Sequence, residues 1–115
     1  MRTARDIIEQ MSGLAVNGSA VPPIHWLNLA VELINLQGNE TDKMYALEEN
    51  FNRVINFYLT QGEPFNKAEK RAKLDPSYME YNKQKTLLKQ IDQSIMLAKK
   101  YAQLSQDEFR NTGGF

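Results

Sequence analysis

The residue types best suited to a binding chemistry are basic side chains clustered in the second half of the chain. The run KAEKRAK places four of them within seven positions, and Lys85, Lys89, Lys99 and Lys100 flank one edge of an apolar stripe later on. Such side chains make phosphate contacts, and repeated copies in an oligomer would multiply those contacts. The sequence therefore predicts these nucleic-acid-binding residues: Lys67, Lys70, Arg71, Lys73, Lys85 and Lys89. Nearby rings such as Tyr78 and Tyr81 could stack on unpaired bases; alternatively, the lysines only solvate helix surfaces.

Catalytic and metal-binding chemistry has little support in the sequence. His25 is the only histidine, stands beside Trp26 in a very apolar segment, and is expected to be a core or interface residue. Because cysteine is absent, the chain has no thiol nucleophile, and zinc would lack its usual nitrogen and sulfur ligands. Neighbouring carboxylates such as Glu48 and Glu49 do not share a helix face. The sequence therefore predicts a protein that is not an enzyme and needs no metal or cofactor.

The net charge is zero, with 14 basic and 14 acidic residues, but the charges are unevenly placed. Residues 32–63 carry a net charge of −4, whereas residues 64–103 carry +5. This asymmetry is typical of a polyanion-binding surface, and it would equally arise if the two segments packed side by side. No run approaches the roughly 20 apolar residues of a membrane span, and no signal peptide is recognisable. We therefore expect a cytoplasmic protein with no membrane partner.

The first helices are predicted from capping residues and apolar spacing. Thr3 suits the N-cap of a short helix that ends near Met11. In the connection that follows, Asn17-Gly18 is the signal of a type I′ hairpin turn, which leaves a small β-ribbon open as an alternative. Over residues 24–37 apolar side chains occupy nearly every side. This pattern predicts a central helix that is covered on more than one face and ended by Gly38.

Three further helices are predicted beyond Gly38. Thr41 suits the N-cap of a long helix that ends at Gln61, and a short basic helix is expected over residues 66–73. Asp75 and Pro76 then form an N-cap and first-turn pair for a helix that runs from Pro76 to about residue 106. Both long helices carry a seam of apolar residues at alternating three- and four-residue spacing, as in a helical hairpin or coiled coil.

The seam of the last helix predicts self-association. That helix is about ten residues longer than the one before it, so a hairpin within one chain would leave part of the seam projecting. A second copy is the simplest cover, and the predicted oligomer interface comprises Tyr81, Leu88, Ile91, Ile95 and Ala98. Gln84 is the polar exception on this seam, and such a residue can fix the register. Off the seam, Met79, Leu97 and Leu104 need another cover or remain exposed.

Together these elements predict an all-α fold, a helical bundle with a long antiparallel helical hairpin that is oligomeric through coiled-coil-like seams. The chain is long enough for one domain. Its predicted parts are an N-terminal helix and loop (1–23), core helices (24–62), a basic segment with the long helix (66–106) and a flexible tail (107–115).

The order of elements in the second half resembles small helical proteins of the recombination gene clusters of tailed bacteriophages. The similarity covers residues 66–109, with the basic piece AEKRAKLDPSYMEY followed by NKQKTLLKQIDQSIMLAKK. More loosely, the pattern is similar to the recombination mediators of the UvsY type. The resemblance implies a helical protein that assembles into rings and loads a RecA-like recombinase onto single-stranded DNA. It also implies that Lys67, Lys70, Arg71 and Lys73 contact phosphates.

Two hypotheses of function follow. The first is a non-enzymatic, phage-type accessory protein that self-associates and binds single-stranded DNA or a DNA-bound recombination partner, in the host cytoplasm if phage-encoded. The second is a protein–protein interaction module, such as a helical adaptor, a virion component or an inhibitor of a host enzyme, that makes no contact with nucleic acid. The apolar central helix and the zero net charge favour the second.

Overall fold

The computed structural model describes residues 2–17 and 20–112, and its regular structure is helical. The four helices are α1 (Ala4–Ala15), α2 (Pro23–Thr60), α3 (Phe65–Ala72) and α4 (Pro76–Thr112). The described residues contain no strand, so the all-α prediction is confirmed. Helix α1 continues past its predicted end near Met11 to Ala15, so Leu14 and Ala15 belong to it and are not part of a β-ribbon. Gly18, the second residue of the hairpin signal, lies outside the described residues.

Three predicted helix ends are confirmed, at Thr3, Gly62 and Asp75. The Thr3 hydroxyl accepts a hydrogen bond from the amide of Asp6, whose carboxylate accepts one from the Thr3 amide in return. This reciprocal pair satisfies two amides at the start of α1. Before α4, the Asp75 carboxylate accepts a hydrogen bond from the Ser77 amide at 2.9 Å. After α2, Gly62 has a φ of +88°, which glycine adopts without a Cβ clash.

The two boundaries expected in the middle of α2 are wrong. Gly38 does not end a helix and Thr41 does not begin one, because α2 continues through both as 38 residues without a break. A glycine inside a helix costs only about 1 kcal/mol relative to alanine. Contacts of α2 with α4 on both sides of Gly38 offset that cost. Gln37 donates a hydrogen bond to Asp92, and Glu40 accepts one from Gln84.

The last helix is longer than predicted. It continues to Thr112, so residues 107–112 are helical and the predicted end near residue 106 is wrong, while the expected flexibility of the tail stays a prediction. Residues 113–115 lie outside the described part of the chain. Helix α3 begins at Phe65 and ends at Ala72, within one residue of the predicted bounds.

The helices form two compact units, and α2 and α4 contribute to both. The first unit combines α1, α2 up to Gly38 and α4 from Lys89 onward. Its core contains Trp26, fully buried and stacked on Tyr101 with ring centroids 4.7 Å apart. The Ser105 hydroxyl donates a hydrogen bond to the Val21 carbonyl at 2.7 Å. The other buried residues of this core are Ala4, Ile7, Met11, Leu29, Ala30, Leu33, Ile91, Ile95, Ala98 and Ala102.

The second unit comprises residues 39–88, with the rest of α2, all of α3 and the first part of α4. Its core is smaller, and four residues are buried in it: Phe51, Ile55, Ala68 and Ala72. Two tyrosines of α4 cover Phe51, with centroid distances of 5.1 Å to Tyr78 and 5.9 Å to Tyr81. The small side chains on α3 let this short helix approach α2 closely.

Candidate binding surfaces

The basic residues of α3 are only partly available for a ligand. Lys67 and Lys70 are exposed and have no ion-pair or hydrogen-bond partner among the described residues. Arg71 instead pairs with Glu63, and its guanidinium lies 4.7 Å from the centre of the Tyr58 ring. A guanidinium with both a carboxylate and an aromatic face as partners is held in place on its own chain.

Among the remaining residues predicted to contact phosphate, two also have partners on their own chain, and one has none among the described residues. Lys73 lies 3.6 Å from the Glu69 carboxylate and 5.8 Å from the centre of the Tyr78 ring. The ammonium of Lys85 lies 5.0 Å from the centre of the Tyr81 ring. Lys89 is exposed and belongs to the first unit, so the structure does not bring all six residues into one unit. The second unit, residues 39–88, carries eight acidic and eight basic residues and is neutral as a whole.

The residues predicted as an oligomer interface lie largely inside one chain. Ile91, Ile95 and Ala98 are buried in the core of the first unit. Tyr81 and Leu88, in the second unit, are half-buried. A second copy of the chain would reach the three buried residues only if the helices separated. The apolar spacing on α4 therefore serves packing within the chain, and the placement of these residues between copies stays a prediction.

Gln84 connects α4 to α2 within the second unit. Its amide nitrogen donates to the Glu40 carboxylate at 2.7 Å and to the Glu40 carbonyl at 2.8 Å. Burial alone would raise the pKa of Glu40, but the hydrogen bonds from Gln84 and Lys43 outweigh it and hold the pKa below its ordinary value. A polar residue on an apolar seam thus finds its partners on the facing helix, as expected of a residue that fixes register.

A second polar contact lies two turns farther along α2. The Tyr81 hydroxyl donates to the Glu48 carboxylate at 2.7 Å. This hydrogen bond, together with partial burial, raises the pKa of Tyr81. Glu48 is half-buried and has no basic partner among the residues that the structure describes. The carboxylate of Glu48 is therefore hydrogen-bonded to a neutral phenol and not to a cation.

An apolar stripe on α2 remains uncovered. Ile24, Leu27, Val31 and Ile34 are 44–57% exposed, and their 3-4-3 spacing places them on one side of the helix. The buried residues Trp26, Ala30 and Leu33 face another side. The sequence showed that α2 is apolar nearly all round, and the structure shows which side is left open. The off-seam residues Met79, Leu97 and Leu104 also remain exposed.

A groove of about 460 Å³ lies on the second unit beside α2. Phe51, Ile55 and Leu59 of α2 form its apolar floor, and Phe65 of α3 forms part of one wall. The remaining lining residues are polar or amphipathic: Glu48, Asn52, Asn56, Glu69 and Tyr81. None of these nine residues is basic. No single segment of the sequence indicates this groove, because its walls come from three separate helices.

His25 is exposed, so it is not a core residue, and the alternative expectation of an interface histidine stays a prediction. It lines a shallow depression of about 190 Å³ in the first unit, together with Arg2, Asn28 and Glu32 among others. No serine, threonine or cysteine lines that depression. Among residues 2–17 and 20–107, no three histidine, cysteine or acidic residues lie together in a way that would hold a metal ion.

Comparisons with known proteins return no match: no family model, no curated protein and no solved structure is similar to this chain. The described helices include none that is both long and apolar enough to cross a membrane.

Proposed function

We propose that this protein is a non-enzymatic interaction module whose α2 stripe, formed by Ile24, Leu27, Val31 and Ile34, docks on the same stripe of a second copy. The observation that carries the proposal is the exposure of four large apolar side chains in a row on one side of a helix. Contiguous exposed apolar surface of this kind marks interaction sites on monomeric proteins.

The side chains of the stripe favour a helix of the same kind as partner. Written as a heptad, the stripe has β-branched Ile24 and Val31 at the first apolar position, and Leu27 and Ile34 at the second. The first heptad, with β-branched Ile24 and then Leu27, has the combination that favours two-stranded pairing, whereas Ile34 at the second position departs from it. One flank of the stripe carries Asn28, followed one heptad later by Asn35, so no like charges would meet there when two copies approach.

The size of the stripe sets the strength of this association. Complete burial of a valine, leucine or isoleucine side chain contributes about 1.5–3 kcal/mol, so burying the exposed half contributes about 1 kcal/mol for each residue. Two copies supply about 8 kcal/mol, against which association costs at least about 4 kcal/mol. The remainder, about 4 kcal/mol, corresponds to a dissociation constant on the order of 1 mM. We therefore expect a weak, concentration-dependent dimer.

Sedimentation equilibrium of two matched variants tests the proposal. Leu27→Gln places a polar amide in the stripe, whereas Leu74→Gln makes the same change at a leucine that is 87% exposed and lies outside it. We expect the wild type and Leu74→Gln to show the same rise in average mass with concentration, and Leu27→Gln to remain monomeric. Equal behaviour of the two variants, or a wild type that stays monomeric up to about 1 mM, would refute the dimer.

Binding of single-stranded DNA is the second candidate function, as in a phage-type accessory protein of the host cytoplasm. The supporting observation is that Lys67 and Lys70 point to solvent with no carboxylate partner among the described residues. Because the second unit has a net charge of zero, it should bind single-stranded DNA only weakly. The absence of cysteine fits a reducing compartment.

A titration with a fluorescent oligonucleotide at two salt concentrations tests this candidate. Affinity should fall steeply with salt because each phosphate contact releases a counterion. The double variant Lys67→Gln/Lys70→Gln should lose binding, and Lys99→Gln/Lys100→Gln, which removes the same charge from α4, should retain it. Binding that ignores salt, or that both double variants weaken equally, would remove the candidate.

A further inference from the structure

The groove on the second unit extends along α2. Its α2 residues, from Glu48 to Leu59, lie on one face of the helix and span about 16 Å at ~1.5 Å per residue. The volume of about 460 Å³ lies within the range of roughly 300–1,000 Å³ found for ligand sites. An apolar floor between polar edges is the form of a groove that accepts the apolar face of an amphipathic helix.

The charges on the groove select the partner. Glu48 and Glu69 contribute two carboxylates, while Asn52 and Asn56 contribute uncharged amides. The Glu48 carboxylate is half-buried beside Tyr81 and has no cationic partner in the described part of the chain, a position in which a bound cation would be favourable.

The basic side chains near the groove do not prevent a cationic ligand from binding there. The Lys73 ammonium is 3.6 Å from Glu69, in a pair whose side chains are 47% and 40% exposed. Such a surface pair contributes at most about 1 kcal/mol and is easily exchanged. Lys85 lies over the Tyr81 ring and does not line the groove. Glu49, next to Glu48, is already paired with Arg53 at 3.0 Å.

We infer that this groove binds a basic, amphipathic helical segment of a partner protein. Apolar side chains of that segment would lie mainly on Leu59 and Phe65, because Phe51 and Ile55 are only 7% and 8% exposed. An arginine or lysine would reach Glu48. Long basic side chains suit this arrangement because their aliphatic stems can lie on apolar surface while the charged end meets a carboxylate. The site goes beyond the proposed self-association, since none of its residues belongs to the α2 stripe.

The direct test is fluorescence anisotropy with a labelled peptide of about four helical turns that carries leucines on one face and lysine and arginine on the other. A second peptide of the same length has glutamine in place of every basic residue. We expect saturable binding of the basic peptide and at least about tenfold weaker binding of the glutamine peptide, the ratio that corresponds to one charge-assisted contact.

Two matched pairs of variants locate the binding. Glu48→Gln keeps an acceptor for Tyr81 but removes the charge, whereas Glu49→Gln removes the same charge outside the groove. Phe65→Ala shortens a wall residue that is 56% exposed, and Phe57→Ala shortens one that is 58% exposed and does not line the groove. Glu48→Gln and Phe65→Ala should each weaken binding about three- to tenfold. Their counterparts should change it less than about twofold.

Several results would overturn the inference. One is that the basic peptide shows no saturable binding up to about 1 mM, and another is that the glutamine peptide binds as tightly as the basic one. A third such result is that the two variants of a matched pair change the affinity equally. Spermidine that competes as tightly as the peptide would instead identify a site for small polycations. Circular dichroism confirms that each variant is folded, and Leu27→Gln should bind the peptide normally, which separates this site from the proposed dimer.

Discussion

Replacement of Gln84 by methionine tests whether a polar residue on the α4 seam stabilises the second unit. Methionine has a similar length and suits an apolar seam, but it cannot donate a hydrogen bond. The variant therefore removes the contacts to the Glu40 carboxylate and to the Glu40 carbonyl, at 2.7 and 2.8 Å. Lys43, at 3.2 Å, remains as a partner of that carboxylate.

The expected loss of stability follows from the charge of the acceptor. A hydrogen bond to a charged group contributes about 1.5–3 kcal/mol, and one between neutral groups about 1 kcal/mol. Burial of the methionine side chain offsets part of this loss. We expect the free energy of unfolding to fall by about 2–3 kcal/mol, which lowers the Tm by about 10 °C in a chain of this size.

The loss should also depend on pH, because the hydrogen bonds lower the pKa of Glu40. A carboxyl group with a folded-state pKa below its ordinary value of 4.5 stabilises the fold above that value, and the contribution disappears as the pH falls through the folded-state pKa. In Gln84→Met this contribution is weaker at every pH. The difference in stability between wild type and variant is therefore largest near neutral pH and narrows below about pH 4.

Urea unfolding followed by circular dichroism, at several pH values from about 7 to about 3, measures this difference. Gln90→Met is the matched control, since Gln90 is an exposed residue of the same helix and should tolerate the change. A difference that is the same at all pH values would show that the charge of Glu40 is irrelevant. A variant as stable as wild type at pH 7 would refute the role of Gln84 altogether.

Three further substitutions test the fold, each by thermal unfolding. Gly38→Ala should stabilise the chain by about 0.5–1 kcal/mol, because Gly38 is helical and nothing lies within 4 Å of an added Cβ. Gly62→Ala should destabilise it by about 1 kcal/mol, because the φ of +88° disfavours a side chain. Equal effects of Gly38→Ala and Gly62→Ala would contradict a helical conformation at Gly38 and a left-handed one at Gly62. Ile91→Ala should cost about 2–5 kcal/mol as a buried truncation, whereas Met96→Ala at an exposed site should cost little, and similar costs would place Ile91 outside the core. Tyr81→Phe should cost about 1–3 kcal/mol by leaving Glu48 without its donor, and an unchanged Tm would show that this contact contributes nothing.

Much of the helical structure could be predicted from local signals. The Thr3 cap, the turn at Gly62 and the Asp75-Pro76 start of α4 each satisfy a local requirement of the backbone, and all three occur where expected. Gly38 misled the prediction because a glycine ends a helix only when no packing continues beyond it. Here the contacts of α2 with α4 continue on both sides, and the sequence alone does not reveal them.

The binding surfaces were harder to predict, for a physical reason. A 3-4 spacing identifies the apolar side of a helix but not the molecule that covers it. Ile91 and Ile95 were assigned to an oligomer interface, whereas their own chain buries them. Likewise, the sequence could not show that Arg71 and Lys73 pair with carboxylates nearby while Lys67 and Lys70 remain without such partners. The groove depends on residues from three helices, so no single segment could indicate it.

Methyl NMR of the wild-type chain over a dilution series tests directly whether the α2 stripe docks on the same stripe of a second copy. Spectra are compared from about 20 µM to about 1 mM, the range in which a weak dimer forms. If the dimer forms, we expect the methyl signals of the stripe residues to shift together with concentration and those of Leu74 to stay fixed. The stripe residues are Ile24, Leu27, Val31 and Ile34. Stripe signals that do not move over this range, or that move no more than those of Leu74, would contradict the dimer.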